Sequence, residues 1–247
     1  MDGKKYNPML NQILFQIILF ATNIIQTVTG FAGAMLAMPF AIQLVGLEEG
    51  KAIVNIATME TCIFVVGKGR SNINKQLFLK MTAFMLIGVA IGNWAVVNIP
   101  LHGMYIIYSL LLTAVGIKKL FFNKQIWNLP SWMSPLILIG AGFIHGAFLS
   151  GGALLIIFAV GALKNKEEFR TTVSAVWIVL NSILLVIHVR DGYFNKITRV
   201  LSVVSILLIP CSIWIGNKIN TKINQKIFMY SIYFLILIAG ISLLINI

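Results

Sequence analysis

Charged residues are scarce in this chain, and acidic residues are the scarcest of them. Only 11% of the 247 residues are charged and seven are acidic, whereas 59% are hydrophobic. Soluble domains typically contain about 25% charged residues, so the composition excludes an ordinary water-soluble protein. Apolar runs near the length needed to cross a roughly 30 Å hydrocarbon core recur along the whole chain. We therefore expect an all-α polytopic membrane protein.

Cysteine and nucleotide-binding signatures are also lacking. Cys62 and Cys211 fall within apolar segments without metal-ligand spacing, and we expect both to be buried free thiols. The stretch "GKGRSN" at 67–72 does not complete a phosphate-binding loop. The sequence therefore predicts no metal and no cofactor, and ATP-driven transport would need another subunit.

Basic residues are plentiful, with a net charge of +12. They fall almost entirely in short loops between apolar runs, which is the placement that orients a membrane protein. This distribution argues against a nucleic-acid partner, since the charges form no single basic patch. The bilayer is the expected partner, and the expected location is the cell membrane with several crossings.

Ten apolar segments can be distinguished, and the polar stretch "KKLFFNKQIWNLPSW" divides them into two sets of five. We interpret residues 1–125 and 126–247 as two transmembrane repeats of one membrane domain. The approximate segments are 9–28, 31–46, 52–67, 77–97, 103–121, 133–149, 151–163, 171–188, 197–217 and 226–246.

A comparison of the two halves supports a duplication. An offset of 119 aligns an acidic pair followed by a basic residue, a match that chance in apolar sequence does not readily produce. Past the next loop the offset becomes 124 and aligns two "IGN" triplets. The aligned positions are Gly33 with Gly152, Glu48 and Glu49 with Glu167 and Glu168, Lys51 with Arg170, and 91–93 with 215–217.

Five segments per half predict that the second half enters from the opposite side, as an inverted repeat. With an outside N-terminus, 13 Lys and Arg residues fall in inside loops and 6 outside, as the positive-inside rule requires. Merging the first two segments of each half into one crossing gives eight helices in parallel halves. In that arrangement 12 Lys and Arg residues lie inside and 7 outside. We favour the inverted repeat. The 6 outside residues are Lys4, Lys5, Lys51, Arg190, Lys196 and Arg199.

Glycines interrupt both halves at corresponding places. The first half contains "TGFAGAMLAMPF", with Gly30, Gly33 and Pro39, and the second contains "GAGFIHGAFLSGGALL". Paired breaks of this kind point to a transporter site near the bilayer midplane. The half-helix after each break would offer free N–H groups and a partial positive charge to an anion. The alternative is that the glycines only permit close helix packing.

The candidate binding residues lie at the breaks and on the segments that follow them. Hydroxyl groups near the breaks could add hydrogen-bond donors, and polar residues on the following segments could line the pocket or join helices. The predicted substrate-binding set is Thr27, Thr29, Gly30, Gly33, Asn55, Ser150, Gly151, Gly152, Ser174 and Asn181.

Two ionisable residues are candidates for proton coupling. Glu60 is the acid predicted near the middle of a segment, where a charge is expensive and functional by default. His145, beside the second break, could bind an anion when protonated or pass a proton. Packing roles through hydrogen bonds to neighbouring helices are equally open for both residues. For His188 we favour an interfacial position near Arg190.

"TGFAGAMLAMP" followed by "GFIHGAFLSGGALL", in a two-fold repeated chain, resembles the TauE/SafE family of membrane transporters, the sulfite exporters. The likeness extends over essentially the whole chain, including "IGVAIGNW". The resemblance implies transport of small anions such as sulfite, sulfonates and related organosulfur compounds. The chain departs from the Gly-rich pattern at Ala32, Ala34 and Phe158, and His145 interrupts the second motif.

We therefore expect a secondary transporter for a small anion, with protons as a further possible partner and a homo-oligomer left open. A cation or metal permease is one alternative, although the acids and histidines make a poor cation site. An intramembrane enzyme is another, and Ser150 with His145 is its only candidate pair. We do not expect an enzyme.

Overall fold

A computed structural model describes residues 8–122, 132–163, 165–220 and 225–245, and all regular structure in these ranges is helical. Each of the ten predicted segments corresponds to one α-helix, and a 3-10 turn, Arg70–Asn72, follows the third. The helices are α1 Pro8–Thr29, α2 Ala32–Leu44, α3 Leu47–Gly69, α4 Lys75–Asn98, α5 Leu101–Phe121, α6 Met133–Phe148, α7 Gly152–Ala162, α8 Lys166–Arg190, α9 Lys196–Asn220 and α10 Gln225–Ile245.

The predicted class is confirmed. Within the described ranges, six stretches are long and apolar enough to cross a membrane: Pro8–Thr29, Leu47–Asn72, Lys75–Asn98, Leu101–Lys118, Lys166–Arg190 and Lys196–Asn220. The chain is an all-α polytopic membrane protein.

Two helices begin well before their predicted starts. α3 and α8 each start five residues before the expected 52 and 171, and each carries an acidic pair in its first turn. Negative side chains stabilise a helix N-terminus through the helix dipole, so the charged residues extend these helices instead of ending them. Lys51 was counted with the outside loops and Arg170 with the inside loops, but both are consequently helical and buried.

α2 and α7 are too short to cross a bilayer. They contain 13 and 11 residues, which is about 20 Å and 17 Å of helix at 1.5 Å per residue. Each folds back on the helix before it: Gly33 lies against Thr22 and Gln26 of α1, and Gly151 lies against Ala141 of α6. The first two segments therefore form a hairpin, which is inconsistent with merging them into one crossing.

Helix packing repeats between the two halves. α1 packs on α9 as α6 packs on α4, and α3 packs on α9 as α8 packs on α4. The equivalent helices α3 and α8 run antiparallel, because Gly69 near the end of α3 contacts Thr171 near the start of α8. Antiparallel equivalent helices are what an inverted repeat requires. The predicted boundary at 125/126 lies outside the described residues, as do Lys4 and Lys5, and the division into repeats stays a prediction.

The glycines within α6 pack helices together and do not break it. A Cβ at Gly142 or Gly146 would overlap the carbonyl oxygen of Met85 or Val89 on α4. For these two positions the packing interpretation is correct. Pro39 also lies inside α2 without ending it.

The two cysteines differ in environment. Cys62 is buried in the core, as expected, whereas Cys211 is exposed on α9. The expectation of a buried thiol is wrong for Cys211, because an apolar segment in a membrane protein also presents apolar surface to lipid.

Candidate functional site

The first helix break lies between Thr29 and Ala32. Gly30 adopts φ = +82°, a left-handed conformation in which a side chain would be strained. The Thr29 hydroxyl oxygen accepts from the N–H groups of Phe31 at 3.3 Å and Ala32 at 3.2 Å. The Gln26 side-chain oxygen accepts from the N–H of Gly33 at 2.8 Å. Protein side chains therefore satisfy these three donors, which we had expected to be free.

The second break lies at the equivalent position. Leu149, which aligns with Gly30, is also left-handed, with φ = +52°. Ser150 donates its hydroxyl proton to the Phe148 carbonyl at 3.0 Å and accepts from the Tyr108 hydroxyl. Among the described residues, no side chain accepts from the first N–H groups of α7, in contrast to α2. Only the second break retains donors of the kind predicted for an anion.

The two breaks contact each other. A Cβ at Gly152 would lie 3.0 Å from the Phe31 carbonyl oxygen, so the starts of α7 and α2 meet. Trp177 on α8 joins them, since its indole N–H donates to the Gly30 carbonyl at 3.1 Å. The Trp177 ring also lies 4.6 Å from the His145 ring, centroid to centroid. One tryptophan thus connects the first break with the helix that leads into the second.

A buried amide–imidazole cluster lies beside this junction. The Asn55 amide donates to the Asn181 carbonyl at 3.1 Å, and His145 Nε2 lies 2.9 Å from Asn181 Oδ1. A carbonyl oxygen can only accept, so Nε2 is the donor in this pair. Asn55 Oδ1, Asn181 Nδ2 and His145 Nδ1 are buried without a hydrogen-bond partner. Buried polar atoms are usually paired, so unpaired ones in a cluster indicate room for a polar ligand.

The positions that the repeat aligns with this cluster carry different side chains. Gln26, Cys62 and Ser174 align with His145, Asn181 and Asn55 at the offset of 119. The Gln26 amide donates to Cys62 Sγ at 3.5 Å, and the Ser174 hydroxyl is buried without a hydrogen-bond partner. Each set takes two residues from one half and one from the other, and only the set with His145 contains an imidazole.

Two buried cations flank the junction. Lys51 is 0% exposed and donates to the Gly146 carbonyl at 2.9 Å. No described carboxylate lies within 4.0 Å of its ammonium group, although Glu48 and Asp191 act on it from farther away. The ammonium is therefore held in the interior without an ion pair.

Arg170 occupies the aligned position of the other half and is 7% exposed. Its Nη2 donates to Asn217 Oδ1 at 3.1 Å, and its Nη1 lies 3.6 Å from Glu167. Its backbone packs directly against Gly30 at the first break. Sequence reasoning missed both cations as site residues. The available signal was the repeated acidic-pair-plus-cation pattern, which we had used only to detect the repeat.

His188 extends the site at the Lys51 end. It is 0% exposed, both ring nitrogens lack a partner, and its ring stacks on Tyr193 at 5.1 Å between centroids. The centroid of the Tyr193 ring in turn lies 6.0 Å from the Lys51 ammonium. The interfacial position favoured from sequence is therefore wrong, because the end of α8 is covered by the start of α3 and by the Tyr193 turn.

The remaining predicted residues are not available to a ligand at the junction in the way we expect from sequence. Thr27 and Thr29 donate their hydroxyl protons to the carbonyls of Asn23 and Ile25, both at 2.8 Å, so neither supplies the expected donor to a ligand. The Ser150 hydroxyl likewise donates to a backbone carbonyl, and it makes no hydrogen bond with His145. The candidate catalytic pair is thus absent from the described structure. Glu60 lies apart, in a groove between α3 and α9.

A family comparison decides the class of protein. The family model "Sulfite exporter TauE/SafE" matches residues 14–243, nearly the whole chain. The chain belongs to this family. No curated protein and no solved structure matches the chain. Membership in TauE/SafE, together with the six candidate spans, makes the protein a membrane transporter.

Proposed function

We propose that this TauE/SafE protein is a secondary transporter that carries a small anion, namely sulfite, a sulfonate or a related organosulfur anion. The anion passes through the junction where the two helix breaks meet. The observation that carries the proposal is Lys51, a fully buried ammonium without a described carboxylate within 4.0 Å.

A buried charge without a counter-ion is unfavourable, since little in the interior replaces its lost hydration. One carbonyl, that of Gly146, satisfies only one of the three donors of an ammonium group. An anionic substrate beside Lys51 would supply both the missing charge and the missing acceptors. A cationic substrate would be repelled there, and Arg170 at the aligned position adds to that repulsion.

The proposed site combines this cation with neutral donors. The unpaired Nδ2 of Asn181 and the first N–H groups of α7 are suited to the oxygen atoms of an oxyanion. His188 adds a ring N–H, since neither of its ring nitrogens has a partner, whereas the unpaired Nδ1 of a neutral His145 can only accept. Of the residues chosen from sequence, we retain Asn55, Asn181, Gly151 and the two break glycines, Gly30 and Gly152, as lining or shaping the site.

The direction we propose is export. An inside-negative membrane potential drives an anion outward by about 2.3 kcal/mol per charge per 100 mV. Outward movement therefore needs neither ATP nor a proton, whereas inward accumulation would require a coupled cation. Glu60 stands away from the junction, which favours uncoupled export over a proton-coupled path through that carboxyl.

Anion flux into proteoliposomes tests the proposal. The purified full chain is reconstituted and offered sulfite, thiosulfate, sulfonates, carboxylates and alkali cations, with and without a pH gradient and an imposed potential. We expect saturable flux of at least one sulfur oxyanion that responds to the potential and persists without a pH gradient. Protein-free vesicles are the control. Cation flux with no anion flux would contradict the proposal.

A further inference from the structure

A groove of about 670 Å³ lies between α3 and α9, outside the junction of the helix breaks. Its walls are mainly apolar, and several wall residues are exposed on the surface, among them Ile63 at 50% and Trp214 at 60%. Both helices are candidate membrane spans. Exposed apolar side chains on spanning helices face acyl chains, so the groove is open to the lipid.

One end of the groove is cationic. Lys68 lies in the last turn of α3 and Lys218 in the last turn of α9, where spanning helices reach the headgroup region. The Lys68 ammonium lies 4.5 Å from the centroid of the Phe64 ring. The Lys218 ammonium lies 3.6 Å from the centroid of the Trp214 ring. Aromatic rings and lysines together are typical of the membrane interface.

We propose that this groove binds one anionic phospholipid, with an acyl chain along the apolar wall and the phosphate at Lys68 and Lys218. Basic pockets between transmembrane helices are suited to anionic headgroups, and the apolar length of the groove is suited to a chain. A small inorganic anion would find cations at the mouth but an unfavourable apolar wall beyond them. The assignment does not depend on which anion the transporter carries.

The groove adjoins the buried site. Asn217 lines it, and the Asn217 side-chain oxygen accepts from Arg170, whose backbone packs against Gly30. A lipid in the groove therefore contacts a residue that positions one of the two buried cations. Lipid occupancy should influence transport through this contact.

Glu60 lines the groove as well, and one of its carboxyl oxygens is buried without a partner. An ionised carboxylate beside an acyl chain is unfavourable, so removing the charge should not weaken lipid binding. Glu60→Gln is therefore expected to retain the lipid at least as well as the unaltered chain.

Lipid binding to the purified full chain, counted by native mass spectrometry, tests the proposal. The probes are phosphatidylglycerol and the zwitterionic phosphatidylcholine. We expect a preference for phosphatidylglycerol that falls about 25-fold in Lys68→Gln/Lys218→Gln, since each lysine near an anionic headgroup contributes roughly fivefold. Lys75→Gln, an exposed lysine that does not line the groove, is the matched control and should bind normally.

Two further measurements keep the outcome decisive. Ile63→Trp fills the groove without changing charge and should reduce retention of phosphatidylglycerol even if the double lysine variant folds poorly. Excess inorganic phosphate should fail to displace the lipid. Full retention in a folded double variant, or displacement by phosphate, would overturn the lipid site. A chain that binds phosphatidylglycerol but moves no anion would count against the proposed transport alone.

Discussion

Lys51 gives the sharpest test at the scale of single residues. Lys51→Met removes the buried charge but keeps a side chain of similar length. We expect anion affinity to fall roughly 10- to 100-fold, the usual loss when a hydrogen bond to a charged group is removed. The folded state should be unchanged or more stable, because an unpaired buried ammonium is replaced by an apolar group. Flux in proteoliposomes and thermal unfolding in detergent measure the two effects.

Lys75→Met is the matched control, since Lys75 is exposed at the start of α4. It should change neither flux nor unfolding temperature. If Lys51→Met loses stability in step with flux, the lysine holds the fold together through its bond to Gly146 and is not a substrate ligand.

Residue roles were the part of the site least accessible from sequence. The positions of the breaks and of Asn55, Asn181 and His145 followed from the repeat and from polar residues in apolar runs. The burial of Lys51, Arg170 and His188 could not be predicted in this way. A charged or ionisable residue near a segment end is indistinguishable from a loop residue until the helix packing is known. The sequence also contained no sign that the hydroxyl groups of Thr27, Thr29 and Ser150 are not free to bind a ligand. Each donates its proton to a nearby backbone carbonyl in the folded chain.

Close helix packing can be tested at the scale of elements, where α4 and α6 meet backbone to backbone. Gly142→Ala adds a methyl group that would overlap the Met85 carbonyl, so the helices must separate. We expect a loss of about 1–3 kcal/mol in the free energy of unfolding. Gly103→Ala in α5 is the control, since its Cβ would meet nothing within 4 Å. There, alanine should stabilise the helix by up to about 1 kcal/mol.

Equal destabilisation by both glycine variants would show that packing against α4 is not what Gly142 provides. Thermal unfolding of the two purified variants in the same detergent makes the comparison. Unchanged flux in Gly142→Ala vesicles, corrected for folded protein, would be consistent with a packing role outside the binding site.

Helix number and approximate bounds were predictable, because each apolar run is continuous and polar loops separate them. The exact ends were less predictable. α3 and α8 begin within charged sequence, where side chains stabilise the helix start, and the second break falls at Leu149 although no glycine occupies that position. Left-handed backbone at a leucine depends on surrounding contacts, such as the Ser150 and Tyr108 hydrogen bond, that no local pattern reveals.

At the scale of the whole molecule, the positive-inside rule indicated an orientation but barely separated the two topologies. Lys51 and Arg170 are buried in helices, so the outside count and the inside count of loop residues each fall by one. The direction of the charge bias is unchanged. The stronger argument is now geometric, because the hairpins of α1 with α2 and α6 with α7 exclude the merged crossing on which the parallel arrangement depended.

The inverted arrangement predicts that aligned positions face opposite sides of the membrane. Glu48 and Glu167 align at the offset of 119, and both are exposed in the first turns of α3 and α8. These two helices are antiparallel, so their first turns lie at opposite ends of the pair. In a Cys211→Ser background, a membrane-impermeant thiol reagent should label Glu48→Cys from outside intact cells. It should label Glu167→Cys only in inverted vesicles, because Glu167 shares its end of the molecule with Lys68 and Lys218. Labelling of both positions from the same side would contradict the inverted repeat.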